Sequence, residues 1–163
     1  MSFLVRLATK SAWPGGEPDR ERALADFQLR EGENGLSLWE YASDAERDLA
    51  LAAMACERID RGGKIDKLDF MTIRRETVER FGIVKQTPGE TPLQTANDKL
   101  HRELQWSPSA LRQLAETLFD EQHSVTRKAK GDVRQLLLGL DLNAVTSTAV
   151  KETLGVERAK EKK

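Results

Sequence analysis

The sequence has few of the residues that mark recognisable sites, with one cysteine and two histidines in 163 residues. A single cysteine, Cys56, excludes an internal disulfide and a thiolate-rich zinc site. The two histidines, His101 and His123, are too few for most metal-hydrolase sites unless carboxylates complete the ligand set. We therefore expect neither a metal nor a cofactor.

Long apolar runs and nucleotide-binding or hydrolase motifs are also absent. No run approaches the roughly 18 apolar residues of a membrane span. The N-terminal segment MSFLVRLATKSAW is interrupted by Arg6 and lacks the apolar region of a secretory signal. There is no GxxxxGK[ST], GxGxxG, HExxH or GxSxG pattern. These absences predict a cytoplasmic protein with no membrane span. They also exclude the enzyme classes that can be recognised from a single sequence motif.

Composition and charge predict a globular protein with a strongly charged surface. Hydrophobic residues make up 39% of the chain and charged residues 33%, which is too apolar for a disordered protein. The net charge is −1, but residues 123–163 carry nine Lys or Arg against five Asp or Glu. The body of the chain is therefore mildly acidic and its C-terminal part mildly basic, which argues against a strongly basic nucleic-acid binder.

The first 90 residues have the pattern of a small sheet packed by one apolar helix. Ser43 and Glu46 form a capping box ahead of the apolar run LALAAMAC, which predicts a central helix over residues 44–60. Alternating or apolar segments predict strands at residues 3–9, 36–41, 67–73 and, more briefly, 83–84. The fold class expected is α+β, with a three- or four-stranded sheet.

After residue 92 the apolar spacing is helical. Thr91 and Pro92 predict a helix start whose buried stripe is Leu93, Ala96, Leu100 and Leu104. Ser107-Pro108 predicts a second start, and further helices follow near residues 133–140 and 144–154. The expected organisation is a sheet-containing part (1–90), a helical part packed on it or on a partner (91–157) and a charged disordered tail (158–163).

The stretch QTPGETPLQTANDKLH has two interpretations that the sequence leaves open. In the first, it is only a turn followed by a capped helix. In the second, an anion lies at the helix N-terminus, where free N–H groups favour it. Asn97 and His101 would then stand one turn apart beside it, with His101 donating or accepting a proton.

Arg6 is a charged residue in an otherwise apolar strand, so it requires a partner or an open face of the sheet. Asp69 or Glu40 could pair with it across the sheet. Arg6 on the first strand, with the strand GLSLWEY and a helix after it, resembles the NAD site of ADP-ribosyltransferases in this residue and this order of elements. The glutamate that such enzymes need has no counterpart that we can place. One hypothesis is therefore a small nucleotide-handling transferase or hydrolase, with Arg6, Asn97 and His101 lining its site.

The hypothesis that the sequence favours most is a non-enzymatic interaction role. The segment QLLLGLDL is unusually rich in leucine, and Trp13 lies in a Gly/Pro loop where we expect it to be exposed. Trp106, just before a helix start, is expected to pack as a hydrophobic staple. The chain would be an adaptor-like or immunity-like subunit of a cytoplasmic, bacterial assembly, binding another protein or itself through Leu136, Leu137, Leu138, Leu140 and Trp13.

A third hypothesis rests on four cations between two apolar helices: Arg127, Lys128, Lys130 and Arg134. The simpler interpretation is a solvated helix end. If the cluster binds nucleic acid, it contacts phosphates without reading sequence, and the binding is weak and strongly dependent on salt.

Overall fold

The computed structural model describes residues 1–29, 33, 35–105 and 107–163. Its centre is one antiparallel sheet of six strands: β1 (Phe3–Leu7), β2 (Leu36–Tyr41), β3 (Leu68–Arg74), β4 (Ile83–Gln86), β5 (His101–Gln105) and β6 (Thr126–Lys128). The strand order is β4-β5-β2-β1-β3-β6. The α+β class is therefore confirmed, whereas the expected number of three or four strands is too low.

Helices cover both faces of this sheet. Those within the described residues are α1 (Arg20–Ala25), α2 (Asp44–Asp60), α3 (Arg75–Glu79), α4 (Gln94–Lys99), α5 (Pro108–Asp120), α6 (Lys130–Leu138) and α7 (Thr148–Glu161). Side chains of α2, α4, α6 and α7 share one hydrophobic cluster, and those of α1, α3 and α5 share another. The architecture is thus a three-layer arrangement of helix, sheet and helix. None of the described helices is long and apolar enough to cross a membrane.

The two cores follow from the alternation of side chains along each strand. In β1, Leu4 packs with α1 and α5, whereas Val5 packs with α2. In β3, Phe70 faces α2 and Met71 faces the opposite core. This explains why β1 is apolar at successive positions. Burying one such side chain contributes about 1.5–3 kcal/mol to stability.

Helix α2 confirms the strongest local signal in the sequence. The Ser43 hydroxyl accepts a hydrogen bond from the Glu46 N–H at 3.2 Å, and the Glu46 carboxylate accepts one from the Ala42 N–H at 2.8 Å. Cys56 lies in the buried middle of the helix, and burial raises the pKa of its thiol to about 12. The thiol is therefore protonated at neutral pH and is unreactive.

Strand β5 corrects the prediction of a helix running from residue 92 to residue 104. Leu93, Ala96 and Leu100 do share the α2 core, but Leu104 belongs to the core on the other face of the sheet. The chain leaves α4 at Lys99 and pairs with β2, with Trp39 opposite His101 and Leu36 opposite Leu104. Leu100 and Leu104 are thus four residues apart, as in a helix, but they lie on opposite faces of the sheet. Strand β6, paired with β3, is a second strand in the half predicted to be helical.

A partly buried ion pair between Arg102 and Glu40 holds β5 against β2, and Arg75 of α3 binds the same carboxylate. The Glu40 carboxylate accepts hydrogen bonds from Arg102 Nε at 2.6 Å and from Arg75 Nη1 at 2.9 Å. Partial burial acts to raise the pKa of Glu40, but hydrogen bonds from Arg75, Ser2 and Arg102 outweigh it and leave the pKa below its ordinary value. Glu40 is therefore ionised at neutral pH and anchors β5 in the sheet.

The ends of some helices agree with the sequence predictions, and those of others differ from them. Ser107 caps α5 with Pro108 in its first turn, as the sequence predicts. Helix α4 begins at Gln94 with Leu93 as its N-cap residue, so the predicted cap at Thr91 is wrong. Helix α7 continues to Glu161, across most of the segment expected to be a disordered tail. Trp106 lies outside the described residues.

Candidate functional site

A cleft opens where two central strands separate. The residue pairs between β1 and β2 end at Val5 and Trp39, whereas β1 continues to pair with β3 as far as Leu7. The space between the diverging strands forms a cleft of about 1040 Å³. Its walls are the end of β1 and the following turn, the start of β2, the C-terminal end of α2, the turn into β3 and residues that follow α1.

Arg6 spans this gap between the strands. Its Nη1 donates a hydrogen bond to the Ser37 carbonyl at 2.8 Å, and its Nε donates to the Asp26 carbonyl at 2.9 Å. The guanidinium also lies 5.9 Å from the centre of the Phe27 ring. Because β1 and β2 diverge here, the side chain reaches a backbone carbonyl in place of the carboxylates expected from sequence.

Both carboxylates predicted as partners of Arg6 bind other arginines. Asp69 receives two hydrogen bonds from Arg127, at 2.7 and 2.9 Å. Glu40 receives those of Arg75 and Arg102 described above. The predicted pairing of Arg6 with either residue is therefore wrong.

Asp26 organises the wall of the cleft beyond Arg6. Its carboxylate accepts hydrogen bonds from the Thr9 N–H at 2.7 Å, the Thr9 hydroxyl at 2.8 Å and the Trp13 indole N–H at 2.7 Å. Trp13 is fully buried and packs against Phe27 and Phe119. The predicted exposure of Trp13 is therefore wrong, and a role as an interface anchor loses its basis.

His101 and Ser37 meet at the edge of the cleft. His101 stands on β5 with its ring edge-on to Trp39, and the ring centroids are 5.0 Å apart. Its Nε2 lies 3.2 Å from the Ser37 hydroxyl oxygen. Its Nδ1 lies 3.0 Å from both the carbonyl and the hydroxyl of Thr87. Ser37 lines the cleft and is exposed, whereas the His101 side chain is buried behind it.

The hydrogen-bond partners of His101 assign its tautomer. A carbonyl oxygen can only accept, so the Thr87 carbonyl favours the tautomer with the proton on Nδ1. Nε2 then carries a lone pair that accepts the proton of the Ser37 hydroxyl. Burial lowers the pKa of His101, although the Thr87 carbonyl, Glu103 and Glu90 act in the opposite direction. The imidazole is therefore neutral at neutral pH and can act as a base.

Asn97 has a structural role beside this pair. Its Oδ1 accepts from the Thr91 N–H at 3.1 Å and the Thr91 hydroxyl at 2.6 Å, and its Nδ2 donates to the Thr91 carbonyl at 2.6 Å. Gly89 packs so closely that a Cβ there would lie 2.8 Å from Asn97 Oδ1 and 3.1 Å from Trp39 Cη2. Asn97 therefore fixes the TPGETP loop, and that loop presents the Thr87 carbonyl to His101.

The structure neutralises most of the predicted basic cluster. Arg127 pairs with Asp69, and Lys128 Nζ lies 3.6 Å from Asp48. Arg134 pairs with Glu157 at 2.7 Å and with Glu161 at 3.1 Å. Lys130 is exposed at the start of α6. These pairs remove the local excess of positive charge on which the nucleic-acid hypothesis depended.

The predicted interface leucines are divided between core and surface. Leu137 is fully buried in the α2 core, and Leu136 and Leu140 pack partly buried against the same core. Leu138 is only partly buried and belongs to neither core cluster. The leucine-rich segment therefore mainly completes the fold of this chain.

Two members of the site, Arg6 and His101, are predicted from the sequence, whereas Ser37 and Thr87 are not. Ser37 is an ordinary polar position in an alternating strand, and Thr87 reads as part of a turn. No local motif connects Ser37 to His101, because 64 residues separate them. Their proximity arises only from the pairing of β2 with β5.

The described residues contain no group of three or more His, Cys, Asp or Glu side chains placed to hold a metal ion. Comparisons with protein-family models, with curated proteins and with solved structures find no match to this chain. The features that indicate a function are therefore the cleft and the Ser37–His101 pair.

Proposed function

We propose that the protein is a small hydrolase or transferase in which Ser37 is the nucleophile and His101 is the general base. The observation that carries this proposal is the hydrogen-bonded chain from the Ser37 hydroxyl to His101 Nε2, and from His101 Nδ1 to the Thr87 carbonyl. A nucleophile, a base and a third group that orients the base form the arrangement that activates serine hydroxyls.

Exposure of the two side chains suits these roles. The Ser37 hydroxyl faces the cleft, where a substrate can reach it, while His101 is 8% exposed and lies behind the serine. Burial also favours the neutral imidazole, which is the form that accepts a proton. Arg6, held on the Ser37 carbonyl, fixes the strand that carries the nucleophile.

The proposed reaction has two steps. In the first, Ser37 Oγ forms a bond to the electrophilic atom of an ester while its proton passes to His101 Nε2. The bond to the leaving oxygen breaks, and His101 returns the proton to that oxygen. In the second, water or an acceptor hydroxyl attacks the Ser37 adduct and passes its proton through His101, which restores the serine.

This proposal reverses the preference that the sequence alone gives to an interaction role. That preference depended on an exposed Trp13 and on exposed leucines, whereas Trp13 and Leu137 are both fully buried. The enzyme hypothesis placed Arg6 and His101 at one site. The hydrogen bonds that both side chains make with Ser37 support it.

A fluorophosphonate probe tests the nucleophile directly. We expect one covalent adduct per chain in the intact mass spectrum, located on Ser37 by peptide mapping. The Ser37→Ala variant should lose the adduct, whereas Ser109→Ala, which changes an exposed serine on α5, should keep it. No adduct, or an adduct that persists in Ser37→Ala, would reject Ser37 as the nucleophile.

Self-association or binding of another protein through α6 and α7 is a second candidate. The observation that favours it is residual apolar exposure at this end of the molecule: Leu138 is only partly buried, and Val156 is 58% exposed. Leu138 is therefore the position at which the interaction hypothesis can be tested without disturbing the core.

A further inference from the structure

The cleft beside Ser37 carries more positive than negative charge, although the chain as a whole has a net charge of −1. Seven Lys or Arg side chains and five Asp or Glu side chains line it within the described residues. A cleft with low-dielectric walls concentrates the field of its charges. This local excess of positive charge favours an anionic ligand.

The acidic side chains of the cleft are largely committed to protein partners. The Asp69 carboxylate accepts hydrogen bonds from Nε and Nη2 of Arg127, and Glu57 pairs with Arg61 at 2.7 Å. Asp26 accepts the three hydrogen bonds from Thr9 and Trp13 described above, and Asp66 accepts one from the Lys67 N–H at 2.8 Å. These four carboxylates therefore offer little attraction to a cation. The charges of Arg127 and Arg61 are in turn partly neutralised by their carboxylate partners.

Three lysines of the cleft have no carboxylate within 4.0 Å among the described residues. They are Lys10, Lys64 and Lys67, of which Lys10 and Lys67 act on Asp69 at longer range and help to lower the pKa of its carboxyl. Lys10 follows β1, while Lys64 and Lys67 belong to the turn between α2 and β3, so the ammonium groups come from two walls. Arg58 joins this side of the cleft and donates from Nη1 to the Lys67 carbonyl at 2.8 Å.

We propose that these lysines hold the phosphate groups of a phosphorylated small molecule, of the size of a nucleoside diphosphate, whose remainder extends towards Ser37. The apolar part of the lining is small: it consists of the half-buried Leu7 and the edges of the buried side chains of Trp39 and Met54. Ammonium groups bind phosphate oxygens through charge-assisted hydrogen bonds. This inference rests on the proposed function, because it names the substrate class of the same cleft.

Binding of pyrophosphate and of ADP, measured by calorimetry at low ionic strength, tests the inference. The Ser37→Ala variant is the reference protein, because it forms no covalent adduct and keeps the lysines. We expect both probes to bind it. Adding Lys64→Ala and Lys67→Ala should raise the Kd of both by at least about tenfold, whereas Lys151→Ala, on the exposed side of α7, should leave the Kd within about twofold.

Failure of this inference can be distinguished from failure of the proposed function. If neither pyrophosphate nor ADP binds the reference protein while the fluorophosphonate still labels Ser37 in the wild type, the phosphate site is rejected and the nucleophile stands. Phosphate binding that depends on Lys64 and Lys67, without labelling, would support the site and reject the nucleophile. A Kd that is unchanged in the double lysine variant, or no binding of either probe at millimolar concentration, would overturn the inference.

Discussion

Replacement of His101 by glutamine should lower the second-order rate constant for labelling of Ser37 by about 10²-fold or more. Glutamine can still donate a hydrogen bond to the Thr87 carbonyl, but its amide cannot accept the proton of the serine hydroxyl. The rate constant is measured from the growth of the fluorophosphonate adduct in intact mass spectra. The matched control is His123→Gln, which removes the other histidine of the chain and should leave the rate within about threefold.

The pH dependence of the same rate constant follows from the environment of His101. The reaction needs the neutral imidazole, so the rate falls as the pH drops through the pKa of His101 in the folded protein. Burial, together with Arg102, lowers this pKa, while Thr87, Glu103 and Glu90 act to raise it, and the net shift is downward. The acidic limb of the profile should therefore have its midpoint below the ordinary histidine value of about 6.5. A His101→Gln variant as reactive as the wild type would contradict the assignment of the base.

Replacement of Leu137 by aspartate should unfold the protein or reduce its free energy of unfolding by more than about 4 kcal/mol. Leu137 is fully buried against α2, so the substitution removes apolar contacts and also buries a carboxylate. Leu138→Asp is the matched variant one position along the same helix. Because Leu138 is only partly buried and lies outside both cores, its cost should stay within about 1 kcal/mol.

Thermal or denaturant unfolding gives the two stabilities, and light scattering gives the mass in solution. Equal destabilisation by the two variants would contradict the placement of Leu137 in the core and Leu138 at its margin. If the chain self-associates and Leu138→Asp alone abolishes association, the second candidate function gains its first support. If the mass of the wild-type chain is that of a monomer at all concentrations, self-association is excluded.

The elements that the sequence predicts correctly are those with local signals. The capping box of α2 and the Ser-Pro start of α5 each lie within a few residues, and both hydrogen-bond as expected. The apolar run of β1 and the apolar patterns of β2 and β3 are likewise contained in single segments. Such signals depend on local backbone chemistry, which a single sequence displays directly.

The elements that the sequence misses depend on contacts between distant segments. Strand β5 consists mainly of polar residues, HRELQ, and it is stabilised by pairing with β2 and β4 and by the Arg102–Glu40 ion pair. Leu100, just after α4, and Leu104, in β5, are spaced as in a helix. The chain between them, however, passes from one face of the sheet to the other. The Trp13 indole can be buried because the carboxylate of Asp26, thirteen residues away, accepts a hydrogen bond from its N–H.

The candidate site shows the same division. Arg6 draws attention because a charge interrupts an apolar strand, but its partner is set by the separation of β1 from β2. His101 draws attention because the sequence places it one turn from Asn97 in a predicted helix, whereas the structure places it on β5. Ser37 has no local signal, since its neighbours fit an ordinary strand, and it becomes a candidate only when β5 places an imidazole beside it.

The nitrogen resonances of the His101 imidazole report directly on the hydrogen-bonded chain from Ser37 through His101 to Thr87. ¹⁵N NMR of the histidine rings, with His123→Gln to assign the two residues, reports the tautomer and the pKa of each ring. We expect His101 to be neutral at pH 7, with its proton on Nδ1, an unprotonated Nε2 and a pKa below about 6.5. A proton on Nε2 in the neutral ring, or an imidazolium at pH 7, would contradict it.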